Sequence, residues 1–288
     1  MTQAGPDALK GDDWSGDMGA RWLANIDRFE SMIAPIGAAL LDRAAYQSGE
    51  RVLDLGCGGG ATTLAIAQMV GKQGTALGLD IAPMLVEQAR DRAARTESSA
   101  RFVCADAATA NLDGEPAFDR LFSRFGSMFF EAPVAALANI RRLLKPEARI
   151  DLAVWANPRD NLWMMEVMGT VRRHVDIPPA TPRAPGPFAF EDLDYLDNVL
   201  TGAGFAGIDI ASYQGLQAVG GPGATPADAT AFVLASMAVG QMLNESGDAV
   251  RNAARDDLTA MFAQHYRADE GVMLPCKAWL VTAYAAAT

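Results

Sequence analysis

Two periods alternate along this chain. From Met18 to Ala45 the apolar residues Trp22, Ile26, Phe29, Ile33, Ile36 and Leu40 recur every three or four positions, the spacing of one buried helical face. Pro35 interrupts that run and is expected to divide it into two helices, because proline lacks an amide donor and crowds the preceding turn. Beyond it the apolar residues come in short runs: RVLDL at 51–55, TALGLD at 75–80, RFVCAD at 101–106, FDRLFS at 118–123 and RIDLAVW at 149–155. Helical spacing returns between them at 61–70, 83–95 and 133–144, two of these stretches opening on proline, which suits a first helical turn. Strand and helix alternating at this rhythm predict βαβ units, hence a parallel sheet with helices on both faces.

The rhythm breaks after Trp155. Residues 161–174 read as a Met-rich helix carrying Trp163, Met164, Met165 and Met168, followed by the proline-studded loop DIPPATPRAPGPFAF. A helix over 191–201, a strand in GFAGIDIASYQ, a capping box in TPAD at 225–228 with two further helices after it, and a last strand in VMLPCKAWLVTAYA complete the chain. No internal repeat or low-complexity tract occurs.

Composition narrows the class. Of 288 residues half are hydrophobic and a fifth charged, the balance of a soluble globular protein. A net charge of −11 argues against nucleic acid as partner, since phosphate binding calls for clustered Lys and Arg. Cys57, Cys104 and Cys276 are scattered and odd in number, so neither a disulfide framework nor a metal site is expected, and no His/Asp/Glu cluster has metal spacing. The first residues, MTQAGPDALKGDDW, are polar without an apolar signal segment, and no apolar run approaches the ~20 residues of a membrane span. A cytoplasmic protein is expected, its first 17 residues mobile at the start.

The candidate chemistry sits in RVLDLGCGGGATTLAIAQ, where a strand runs into a glycine turn and then a helix. Such a turn lets backbone N–H groups approach a polar ligand. Gly56 to Ala61 satisfies the permissive G-x-G-x-x-[GA] dinucleotide pattern with Asp80 about 20 positions on, so an NAD site stays open; the Lys and Ser/Thr of a triphosphate-binding loop are missing. Asp54 discriminates. A carboxylate two residues before the first glycine repels a pyrophosphate but suits a ligand carrying an ammonium group, which favours S-adenosylmethionine (SAM).

VLDLGCGGG resembles the first motif of the class I SAM-dependent methyltransferases. The longer stretches FDRLFSRFGSMFFEAP, ANIRRLLKPEARIDLAVW, NLW and PGPFAFEDLDYLDNVLTGAGF resemble a bacterial small-molecule group near the ubiquinone and menaquinone type. The likeness runs over residues 14–284 and is least typical at 221–271; KPEAR departs from the family, which usually has two glycines after the proline. The resemblance implies an α/β Rossmann-like fold, a seven-stranded sheet in the order 3-2-1-4-5-7-6 with the last strand antiparallel. It implies a helical lid at 1–46 and a SAM-binding domain at 47–288 with lid insertions at about 157–190 and 221–271.

Carried over residue by residue, the resemblance has Asp54, Gly56, Cys57 and Gly58 holding the cofactor through the glycine turn. Asp80, with Ile81 beside it, takes the ribose hydroxyls, Asp106, with Ala107, the adenine amine, and Ser123 lies near the methionine part. Trp14, Trp22, Phe125, Met128 and Trp163 are candidates for an apolar acceptor pocket, the N-terminal aromatics meeting residues 163–168 above the strand ends. His174 is a candidate general base for a hydroxyl acceptor, since its ordinary pKa lies near neutrality; His265 is given no role. Methyl transfer to a small, partly apolar acceptor at O, N or C is the implied function, with S-adenosylhomocysteine as product, no nucleic acid or membrane partner, and a homodimer compatible. The alternatives are a SAM-binding protein with other chemistry or a structural use of SAM, and an NAD-dependent oxidoreductase; the GxSxG elbow of serine hydrolases is absent.

Overall fold

The computed structural model describes residues 14–287. Five strands are parallel: β1 (Arg51–Leu55), β2 (Thr75–Asp80), β3 (Arg101–Cys104), β4 (Phe118–Arg124) and β5 (Leu144–Trp155). Two long strands, β6 (Phe205–Ala218) and β8 (Gly271–Ala285), close one side, and a two-residue strand β7 (Tyr266–Arg267) pairs with β8. The order is β3-β2-β1-β4-β5-β8-β6, with β8 antiparallel to both neighbours. Setting β7 aside, this is the expected order with the last strand antiparallel.

The helices that cross between the parallel strands are α3 (Ala61–Val70), α4 (Pro83–Arg95), α5 (Pro133–Arg141) and, before β6, α7 (Leu193–Gly202). Travel goes one way from β1 to β3 and the other way from β4 to β6, so right-handed crossovers put α3 and α4 on one face and α5 and α7 on the other. The direction reverses between β1 and β4, the switch point where open α/β sheets form a ligand crevice at their carboxyl ends.

Two helices precede the sheet, α1 (Asp17–Ala24) and α2 (Ile26–Ala44). The expected division at Pro35 does not occur: α2 runs straight through it. Pro35 lies on the exposed side, where water can serve the carbonyl that loses its donor. Met32, Ile33, Ile36 and Leu40 hold the opposite side in the core, and their burial outweighs a penalty of about 3 kcal/mol. The break falls instead at Asn25, whose Nδ2 donates to the Arg21 carbonyl at 3.0 Å and ends α1. The expectation of a mobile polar start rests mostly on residues 1–13, outside the described residues.

After β5 come α6 (Leu162–Val171) and, between β6 and β7, a helical excursion of α8 (Pro226–Ser236), α9 (Ala238–Glu245) and α10 (Asp248–Ala263). The TPAD capping box forms: Asp228 N donates to Thr225 Oγ1 at 3.2 Å and Thr225 N to Asp228 Oδ2 at 3.1 Å. KPEAR lies inside β5, not in a turn before it. The pairing slips there, from Phe118 opposite Leu144 to Arg120 opposite Arg149, and Glu147 takes a φ of 60°, the left-handed backbone that the family's glycines would adopt.

Below the site a buried ionic network ties α2 to the sheet. Asp151 is fully buried and accepts from Arg120 Nη2 at 3.0 Å, Arg149 Nη2 at 2.6 Å and Thr282 Oγ1 at 3.2 Å, while Arg120 also donates to the Ala44 carbonyl and lies over the Tyr46 ring. Burial, then the Asp151 carboxylate, push the Tyr46 hydroxyl well above its ordinary pKa.

Candidate functional site

The glycine turn is locked by its own hydrogen bonds. The N–H groups of Gly56 and Cys57 both donate to the Leu79 carbonyl, at 2.8 and 3.2 Å, Gly60 N donates to the Cys57 carbonyl, and Gly58 N donates to Asp80 Oδ2 at 2.7 Å. Gly56, Gly58 and Gly60 have φ of 67°, 52° and 83°. Gly56 also packs against Gly126, where an added Cβ would lie 2.7 Å from the facing Cα. Four amides of the turn, those of Gly56, Cys57, Gly58 and Gly60, are thus committed to protein acceptors.

Asp54 lies beneath the turn at 1% exposure. Its Oδ2 accepts from Thr62 Oγ1 at 2.7 Å and Thr63 Oγ1 at 2.6 Å, and its Oδ1 is buried with no partner. Burial, opposed by the two threonine hydrogen bonds, lifts its pKa from 3.8 to about 6. Asp80 ends β2 with Oδ1 accepting from Ala82 N and Oδ2 from Gly58 N, and burial raises its pKa too. Next to it, the Ile81 carbonyl takes a weak contact from the Cys104 thiol at 3.7 Å. Asp106 is exposed beyond β3, its Oδ1 accepting from Ala108 N, with Ala107 buried beside it. Cys57 is buried, and burial holds its thiol well above the ordinary range. Ser123 is fully buried and donates to the Leu55 carbonyl at 2.9 Å, tying β4 to β1.

The N-terminal helices lie on the turn. Ile26 Cδ1 sits where a Cβ on Gly59 would come within 2.2 Å, and Trp22 Nε1 lies 4.0 Å from the Cβ position of Gly58. Arg92 of α4 latches this cover: it donates to both Glu30 oxygens at 2.7–2.8 Å, to Asp27 at 2.9 Å and to the Gly59 carbonyl at 3.1 Å.

Two aromatic groups border the carboxyl ends of the strands. Trp14 meets Trp22 and Phe129 edge-on, Trp22 stacks on Phe29 at 4.0 Å, and Phe29 meets Phe232 of α8. Phe125 stacks on Trp155 at 4.2 Å, and Trp155 reaches Trp163 of α6. Phe125 has a φ of 64°, unusual for a bulky residue and a sign of strain held by this packing. Met128 is buried in the short turn after it. The N-terminal aromatics pack on Phe129 and Phe232, and Trp163 packs on Trp155. Phe29, Trp155 and Phe232 enter the aromatic groups without having been singled out in the sequence as pocket residues.

Residues 52–147 match a methyltransferase domain family. The matched stretch is a third of the chain. Over 118 residues it is 39% identical to the aklanonic acid methyltransferase DauC of Streptomyces sp. strain C5, spanning 40% of this chain and 53% of that protein. Over 123 residues it is 34% identical to the nocamycin O-methyltransferase of Saccharothrix syringae, spanning 41% of this chain and 42% of that one. The chain thus spans about half the length of the curated relatives it matches. In fold it is similar to the YcgJ protein of Bacillus subtilis, with a TM-score of 0.55 at 18% identity over 88% of this chain and 99% of that one. It is similar too to phosphoethanolamine N-methyltransferase 2 of Haemonchus contortus, solved with S-adenosyl-L-methionine, with a TM-score of 0.57 at 14% identity over 98% of this chain and 61% of that one.

Outside the matched residues, the fold carries a seam between α6 and α10 that engages both histidines. His174 Nε2 lies 2.9 Å from Asp257 Oδ2, and His265 Nε2 lies 2.7 Å from Glu166 Oε2. Arg173 also reaches Asp257, at 3.2 Å. A cavity of about 460 Å³ lies along this seam, lined by Glu166, Thr170, Arg173, Asp257 and Gln264 among others. His174 is therefore held by α10, with partners drawn from the seam and not from the glycine turn. Among the described residues no helix is long and apolar enough to cross a membrane, and no group of three or more His, Cys, Asp or Glu residues is placed to hold a metal ion.

Proposed function

We propose that this protein is a SAM-dependent methyltransferase acting on a small, partly apolar acceptor. The observation that carries the reading is Asp54, buried at the end of β1 with one oxygen free of any partner. An orphaned carboxylate oxygen next to a glycine turn favours a cationic group and disfavours the pyrophosphate of NAD.

The residues fit SAM. Asp54 would hold the ammonium of its amino-acid tail, while Gly56, Cys57 and Gly58 give a surface without obstructing side chains. Asp80 with Ile81 would take the ribose and Asp106 with Ala107 the adenine, with Ser123 holding β4 against β1 next to the tail. Bound there, SAM supplies a methyl group on a sulfonium, an excellent leaving group. The chain's own work is to align the acceptor and exclude water. Trp22 and Ile26 cover the turn, and the groups around Trp14, Phe29, Phe129 and Phe232 and around Phe125, Trp155 and Trp163 give apolar walls suited to an aromatic or alicyclic acceptor. Residues 14–46, the described part of the N-terminal segment, and the insertions at about 157–190 and 221–271 act as the lid. The names of the aklanonic acid methyltransferase and the nocamycin O-methyltransferase support a small-molecule acceptor with an acid or hydroxyl group as its methylated end.

The test pairs cofactor protection with product formation. SAM and S-adenosylhomocysteine should raise the melting temperature of the purified chain where NAD does not. Incubation with SAM and a panel of small phenolic and carboxylic acceptors should release S-adenosylhomocysteine, seen by mass spectrometry. Protection by NAD alone would overturn the reading.

A further inference from the structure

Arg124 is the last residue of β4 and, among the described residues, the partly buried arginine of the sheet that holds no carboxylate. The other partly buried arginines of the sheet and of α4 each hold a carboxylate: Arg51 with Glu115 at 3.0 Å, Arg92 with Glu30 at 2.7 Å, Arg120 with Asp151 at 3.0 Å and Arg149 with Asp151 at 2.6 Å. The Arg124 guanidinium has neither a hydrogen bond nor an ion pair among the described residues, although its side chain is partly buried. Burial draws its pKa below the ordinary value, with Asp54 and Glu30 pulling the other way. Glu30 is already held by both of its oxygens on Arg92.

The side chain has a place made for it. It passes beneath α2 at Gly37, where an added Cβ would lie 2.8 Å from Nη1 and 3.0 Å from Cδ. Asp54 pairs in register with Phe122, so Asp54, Phe122 and Arg124 point to one face of the sheet, Arg124 two positions nearer the carboxyl rim. One strand thus ends in an unpartnered carboxylate oxygen and its neighbour in an unpartnered guanidinium, and the two form no ion pair with each other. The buried Asp54 oxygen is left without a partner, at a cost, and a ligand bearing a cation and an anion a short distance apart answers both groups.

We propose that Arg124 is the carboxylate receptor of an α-amino-acid head group, and that Asp54 and Arg124 together clamp the zwitterionic tail of SAM and of its product. This rests on the SAM-binding reading above and adds a positioning residue to it. The guanidinium fork suits a carboxylate in two parallel hydrogen bonds, and Gly37 keeps that fork open. Affinity then depends on the amino-acid end of the ligand as much as on its nucleoside.

The experiment titrates the full-length chain calorimetrically with S-adenosylhomocysteine and with its decarboxylated analogue, which keeps the nucleoside, sulfur and amine. In the parent, loss of the carboxylate should weaken binding about 10- to 100-fold, the range for a hydrogen-bonded charged group. Arg124→Met should weaken S-adenosylhomocysteine by a similar factor yet leave the analogue within about threefold, with Arg124→Lys recovering part of the loss. If Arg124→Met does not fold, Gly37→Ala makes the same test, since its methyl group displaces the guanidinium without removing the charge. Equal affinity of parent and Arg124→Met for S-adenosylhomocysteine, or equal loss for both ligands in a folded variant, overturns the clamp. A parent that binds neither ligand overturns the SAM-binding reading itself.

Discussion

At Asp54 a buried carboxylate with a pKa of about 6 links ligand binding to pH. Because that value stands above the ordinary 3.8, the ionised form is disfavoured in the fold; the penalty is absent below 3.8, grows as pH rises and is complete above about 6. A ligand's ammonium group favours the ionised form, so S-adenosylhomocysteine affinity should rise about fivefold from pH 5 to 6, about tenfold from pH 5 to 7, and level off above 7. Asp54→Asn should flatten that profile; an unchanged slope would assign it elsewhere, Asp80 being the other buried carboxylate of the turn with a raised pKa. For His174 the pairing with Asp257 predicts that His174→Gln keeps turnover within a few-fold, whereas a general base would lose about 10²-fold or more. Asp54, Asp80 and the turn glycines were legible because a strand, a carboxylate and a glycine run are adjacent in sequence. Arg124 was not, since an arginine in SRFGS carries no period, and its lack of a partner exists only once β4 stands beside β1.

Among the elements, the N-terminal pair α1 and α2 carries the lid reading. Ile26 touches the turn and clusters with Ala82 and Leu85, so the cover packs on the glycine turn and on the start of α4. Arg92→Met removes a latch to Glu30, Asp27 and the Gly59 carbonyl; proteolysis should then cut first near residues 20–30, and added S-adenosylhomocysteine should protect less than in the parent. Cleavage no faster than in the parent would show that apolar packing alone holds the cover. Strand and helix alternation from Arg51 to Trp155 was readable because each period is local. The course of α2 through Pro35 was not, because the decision lies in which side of the helix the sheet covers. The pairing of Phe29 with Phe232 spans some 200 residues of sequence, beyond the reach of any local pattern.

In the whole molecule, the parallel half of the sheet supplies the turn and the carboxylates, while α2, β8 and the α6–α10 excursion close around them. The Asp151 network joins these parts under the site. Asp151→Ala would strand Arg120 and Arg149 beneath α2 and should destabilise the fold by about 3–5 kcal/mol, read as a lower midpoint in denaturant. A loss below about 1 kcal/mol would mean that water replaces the carboxylate there. The matched family covers residues 52–147, so the proposed acceptor walls come largely from parts of the chain outside it, from α1 and α2, α6 and α8. That division explains why the cofactor side could be read from motifs and the acceptor side only from packing.

A buried, half-partnered Asp54 should select an adenosyl ligand that bears an ammonium group over a dinucleotide. Calorimetric titration of the parent and of Asp54→Asn with S-adenosylhomocysteine and with NAD at pH 7.5 (about one and a half units above the Asp54 pKa) measures it directly. The account predicts one S-adenosylhomocysteine bound per chain, at least about tenfold weaker in Asp54→Asn, and no comparable NAD binding by either protein. Tight NAD binding by the parent, or an S-adenosylhomocysteine affinity untouched by Asp54→Asn, would contradict it.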